Sequence, residues 1–101
     1  MHSVSPKLYK FSMSLEQLEN KRKRLIFRAG HRGTKEMDLL LGSFAIRYVP
    51  EFSEAALAEF DEFLNENDPD LYNWITGTEK APDEMQSLSF FPALRSHKYK
   101  A

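Results

Sequence analysis

Cysteine is absent from this 101-residue chain. That excludes disulfides, iron–sulfur and thiolate zinc sites, and a cysteine nucleophile. It agrees with a reducing compartment. Glycine is scarce, with four residues. The stretch Ala29-Gly30-His31-Arg32-Gly33 follows no strand pattern, so it does not read as a phosphate-cradling loop. Histidine occurs three times, as His2, His31 and His97. His2 and His97 lie near the ends, and His31 has no ligand partners at metal-binding spacing, so no metal site is expected. No serine stands in a nucleophile-elbow setting. No apolar run approaches the roughly 20 residues of a membrane span. Met1 to Leu15 holds Lys7, Lys10 and several serines but no acidic residue and no apolar core. This argues against a secretory signal and gives only weak support to a transit-peptide remnant.

The length suits one small domain. Apolar residues make up 42% and charged residues 29%, as in ordinary soluble proteins. The net charge of −1 conceals a strong asymmetry. Residues 1–50 carry ten Lys/Arg against four Asp/Glu, a balance of +6, and residues 51–101 carry four against eleven, a balance of −7. Such halves attract each other in a fold or present opposite faces to partners.

Hydrophobic spacing predicts helices throughout. Leu15, Leu18, the Arg22 stem, Leu25 and Ile26 recur at three and four, giving a helix from about Ser14 to Arg28. Ser14 and Gln17 suit a capping box, and Ala29-Gly30 ends the helix. A second helix starts at Gly33 or Thr34. Met37, Leu40, Leu41, Phe44, Ala45 and Tyr48 form its core stripe, widened by Leu39 and Ile46, and Pro50 stops it. Ser53 caps a third helix to about Glu66, with Ala56, Leu57, Phe60, Phe63 and Leu64 inward. Asp68 as cap and Pro69 at the first position open a short fourth helix that Gly77 closes. Trp74 sits there at core spacing. A fifth helix begins at Pro82 or Asp83, with Met85, Leu88 and Phe91 inward, and the pattern fades from Pro92. The expected organisation is all-α: a compact bundle of five short helices over 13–92, with flexible tails over 1–12 and 93–101.

Paired acids such as Asp61-Glu62 read as a solvated helix face, because acid–base work needs a pocket and a shifted pKa. No catalytic set emerges, and an enzyme is not expected. Two constellations stand out. One is the basic set Lys21, Arg22, Lys23, Arg24, Arg28, His31, Arg32 and Lys35. It reads as a solvated face or as a patch for an acidic partner. Its alternative reading is a nucleic-acid-binding or antitoxin-like regulator using the first helix, against which the mildly acidic pI near 6.3 weighs. The other is the corner Arg32-Gly33-x-x-Glu36. It reads either as an i,i+4 ion pair at a helix start, or as a docking surface made from an arginine, a residue without side chain and a carboxylate.

The run Arg32-Gly33-Thr34-Lys35-Glu36-Met37-Asp38-Leu39-Leu40-Leu41-Gly42-Ser43-Phe44-Ala45 resembles the signature of the succinate dehydrogenase flavinylation (assembly) factors. Asp68-Pro69-Asp70-Leu71-Tyr72-Asn73-Trp74-Ile75-Thr76-Gly77 resembles their second block, and the spacing agrees. The resemblance covers about residues 15–91. It implies the five-helix YgfY-like fold and a chaperone-like role. The partner it implies is the flavoprotein subunit of succinate dehydrogenase, or in some bacteria fumarate reductase, to which FAD becomes covalently attached. It implies no cofactor of the chain's own. The contact surface it implies is Arg32, Gly33 and Glu36, flanked here by His31 and Lys35. A monomer without membrane attachment is expected, placed in a bacterial cytoplasm given the short leading segment, or in the mitochondrial matrix if eukaryotic.

Overall fold

A computed structural model describes residues 13–97. The segments 1–12 and 98–101, which contain His2 and most of the expected tails, lie outside the described residues. Six α-helices and one 3₁₀ turn follow in order: α1 Leu15–Ala29, α2 Lys35–Tyr48, the 3₁₀ turn Val49–Glu51, α3 Glu54–Phe63, α4 Asp68–Thr76, α5 Asp83–Gln86 and α6 Phe91–Ser96. No strand occurs among the described residues.

Side-chain caps set the helix starts. Ser14 and Gln17 form the expected reciprocal capping box of α1. The Thr34 hydroxyl accepts from the Met37 N–H at 3.2 Å, so Thr34 is the cap and α2 opens at Lys35, two residues after the earliest expected start. Ser53 caps α3 in the same way. At α4 the cap is Asn67, not Asp68: Asn67 Oδ1 accepts from the Asp70 N–H at 2.9 Å. This frees the Asp68 carboxylate for another partner. Gly77 ends α4 with φ +84°, a left-handed position that glycine adopts without penalty.

α2 stops at Tyr48, ahead of Pro50 as expected, and Pro50 lies in the 3₁₀ turn, where its missing N–H costs little. Two boundaries differ from the expected ones. α3 ends at Phe63 rather than Glu66, because the Leu64 and Glu66 carbonyls turn towards a side chain from elsewhere. The fifth helix divides into α5 and α6, which makes six helices rather than five. Pro92 sits in the first turn of α6, a position that tolerates proline. The segment from 93, read as a tail, is therefore helical to Ser96, and Leu94 is fully buried.

α1 lies along α2 and also touches α3 and the 3₁₀ turn, while α4 and α5 meet α6. Leu25, Leu41, Phe44, Leu57, Phe60, Leu71 and Leu94 fill the core. Phe44 is the hub: its ring faces Tyr48, Phe52, Phe60, Phe90 and His97 at centroid distances of 4.7–6.4 Å. The end of α1 approaches α2 closely because Gly30, just after α1, and Gly42 in α2 both lack a side chain. A Cβ built on Gly42 would lie 3.1 Å from Gly30 Cα. Two expected core positions face outward instead: Leu15 is 75% exposed and Ile46 66% exposed.

His97 closes the far end of α2. Its Nε2 lies 2.9 Å from Ser43 Oγ, and its ring packs edge-on against Phe44 and Tyr48. Burial pushes the imidazole below its ordinary 6.5, and the Arg47 charge adds to the effect. The fold thus favours the neutral ring. The unfolded chain takes up this proton first as pH falls through about 6.5, so stability present at neutral pH is lost progressively below it. Melting temperature is expected to drop between pH 7.5 and pH 5.5 by less in His97→Gln than in the parent. Equal drops in the two proteins would remove His97 as the source.

Candidate functional site

The corner between α1 and α2 is built around Arg32. Its side chain is turned inward and 11% exposed. Nε donates to Asp68 Oδ1 at 2.8 Å, and the two terminal nitrogens donate to the Leu64 carbonyl at 2.5 Å and the Glu66 carbonyl at 2.6 Å. Its backbone N–H donates to Asp38 Oδ1 at 2.5 Å. The guanidinium fork suits such convergent acceptors. Arg32 therefore binds the α3–α4 turn. It forms no pair with Glu36 across a helix turn, and each of its three side-chain nitrogens donates within the fold.

The other expected residues are outside. Gly33 is exposed with φ +156°, a backbone setting that disfavours side chains, although a Cβ there would meet only Asp68 Oδ2 at 3.7 Å. Lys35 and Glu36 are exposed on the first turn of α2. The Tyr72 hydroxyl donates to Glu36 Oε2 at 3.3 Å. His31 stacks on Phe27 with centroids 3.9 Å apart, and its Nδ1 lies 2.8 Å from the Phe27 carbonyl. The two sequence blocks, which begin 36 residues apart, thus meet twice, through Arg32–Asp68 and through Glu36–Tyr72.

Sequence reasoning missed Asp38, Asp68 and Tyr72 as parts of this corner. Asp68 carried a signal, since Asn67 offers a second cap beside it, but nothing local points to Arg32. Trp74 is half-buried and packs on the core, as expected from its spacing.

The basic set does not form one open face. Lys21 and Arg28 both bind Asp61. Arg22 donates to the Phe52 carbonyl at 2.8 Å. The Lys21 hydrogen bond lowers the Asp61 pKa, burial opposes it, and Arg28 lowers it further. Half the cations thus serve internal contacts, which removes the main support for a phosphate-binding helix. Among the described residues no group of three or more potential ligands could hold a metal ion. No helix there is long and apolar enough to cross a membrane.

Fold and corner define a small all-helical module whose most elaborately braced surface is a turn. Residues 23–98 match the model of the Sdh5 family, described as the flavinator of succinate dehydrogenase, and the chain belongs to that family. It is similar to proteins named succinate dehydrogenase assembly factor 2, mitochondrial. The one from Dictyostelium discoideum is 35% identical over 78 residues, which covers 77% of this chain and 55% of that protein. The one from Saccharomyces cerevisiae is 41% identical over 83 residues, covering 79% and 51%. The one from Scheffersomyces stipitis is 51% identical over 61 residues, covering 60% and 41%. The chain spans about half the length of these relatives.

Proposed function

We propose that this chain is an assembly factor that binds the flavoprotein subunit of succinate dehydrogenase and promotes covalent attachment of FAD to it. The observation that carries this reading is the family match over 23–98. The corner supports it with a physical route. Gly33 offers bare backbone and Glu36 an exposed carboxylate, with His31 and Lys35 beside them, and Arg32 fixes the turn that presents them. FAD belongs to the partner, and this chain acts on the partner's geometry. Covalent attachment needs the reacting groups held in line, and alignment alone lowers such barriers greatly. A helper supplies it by binding one arrangement of the flavoprotein better than the others. The relatives are named as mitochondrial proteins, which supports a mitochondrial place of action if the source is eukaryotic.

Co-expression with the flavoprotein tests this. Gly33→Arg places a long side chain on a positive-φ backbone at the contact. Glu36→Ala removes the carboxylate, and loss of one partner of a buried interfacial charge pair costs about 2–5 kcal/mol. Both variants are expected to fold and to lower covalent flavin, read as fluorescence of the denatured flavoprotein band, by about tenfold or more. Wild-type flavin levels with both variants would overturn the assignment of the corner.

A further inference from the structure

Beside the corner lies a second surface. The crossing of α1 and α2 leaves a shallow groove of about 440 Å³. Gly30 and Gly42 form its floor, Ile26 and Phe27 one wall, and Ile46 the other. Single exposed apolar residues are normal on a protein surface. Here two large ones, Phe27 at 63% and Ile46 at 66% exposure, face a common depression. The Phe27 ring is also held in place, stacked on His31, whose Nδ1 lies against the Phe27 carbonyl. A preset aromatic wall loses little freedom on binding, which is the property of an anchor site.

Lys23 is the charged residue lining the groove, with the His31 ring beside it, and no carboxylate is among the lining residues. Arg24, next to Lys23 in sequence, and Lys35, in the first turn of α2, are exposed and form no ion pair among the described residues. His31 belongs both to this groove and to the corner, so the two surfaces are continuous.

We propose that the groove is a second contact for the flavoprotein, taking a segment that carries apolar side chains next to carboxylates. This rests on the reading under Proposed function. A second copy of the chain is disfavoured as occupant, because pairing the groove with itself brings two Lys23 ammonium groups into one small patch with no lining carboxylate to offset them.

The test compares Ile46→Lys, Lys23→Glu and Glu36→Ala with the parent, using calorimetric titration against the flavoprotein lacking covalent flavin. Circular dichroism melts check folding, and sedimentation gives the oligomeric state. Ile46→Lys is expected to raise Kd about tenfold or more, the loss typical of an anchor contact. Lys23→Glu is expected to raise Kd and to flatten its salt dependence, and it serves as the reading if Ile46→Lys melts early. Should both groove variants bind like the parent while Glu36→Ala binds weakly, the groove assignment falls and the proposed function stands. If the parent itself fails to bind, both fall. A parent dimer that Ile46→Lys converts to monomer, with flavoprotein binding unchanged, assigns the groove to a second copy and overturns the proposal.

Discussion

Arg32→Ala is expected to destabilise the fold by about 3–5 kcal/mol, the range for removing one partner of a buried ion pair. The estimate applies because neither side is well solvated: the Arg32 and Asp68 side chains are 11% and 18% exposed. Truncation strands the Asp68 carboxylate and also two backbone carbonyls, those of Leu64 and Glu66. A buried acceptor left without a donor keeps the full cost of its lost hydration. Arg32→Lys is expected to recover only part of the loss, because an ammonium cannot match three acceptors spread around a planar fork. Urea titration of the three proteins measures this directly. A loss below about 0.5 kcal/mol for Arg32→Ala, the level of exposed pairs, would show that the bracing is weak. The contrast with Glu36→Ala is the informative one. Arg32→Ala reduces stability and function together, whereas Glu36→Ala is expected to reduce function in a folded protein.

Phe44→Ala carries the other large effect, about 3–5 kcal/mol for truncating a buried phenylalanine. Domains of this size have total stabilities on the order of 5–15 kcal/mol, so the variant sits near the threshold of folding. Phe44 is fully buried and has five aromatic neighbours from four parts of the chain. Its loss leaves a cavity that α2, α3 and the segment leading into α6 cannot all close at once. Phe44→Leu refills most of the volume and is expected to cost about half as much or less, since hydrophobic swaps of similar volume are tolerated best. Calorimetric or chemical melts of the pair separate volume from ring-on-ring contact. Equal losses for both would assign the effect to aromatic geometry alone.

The helices were legible where their causes are local. Ser14 with Gln17, Thr34, Ser53 and Gly77 act within four residues of themselves, and each marks a helix end in the structure. The α2 stripe of Met37, Leu40, Leu41, Phe44 and Ala45 is buried as its period requires. Misreadings arose where two residues share one chemistry or where the deciding partner is distant. Asn67 and Asp68 are both good caps, and only the demand of Arg32 for a carboxylate separates their roles. The early end of α3 depends on that same guanidinium. Ile46 has the period of the core, yet among the described residues no third element covers its side of the α1–α2 pair, and it is exposed. The candidate site was legible as a corner through family resemblance, but not in its internal wiring. An arginine, a glycine and a glutamate at close spacing do not reveal which one turns inward.

The reach of Arg32 also ties the first helical pair to a stretch of chain made well after it. α1 and α2 are joined by residues 30–34 and can pair early, since short connections close cheaply. The acceptors of Arg32 lie 32, 34 and 36 residues downstream. A newly made chain therefore holds both helices of the hairpin before it holds the corner's acceptors, and the Ser43–His97 contact, 54 residues apart, needs more of the chain still.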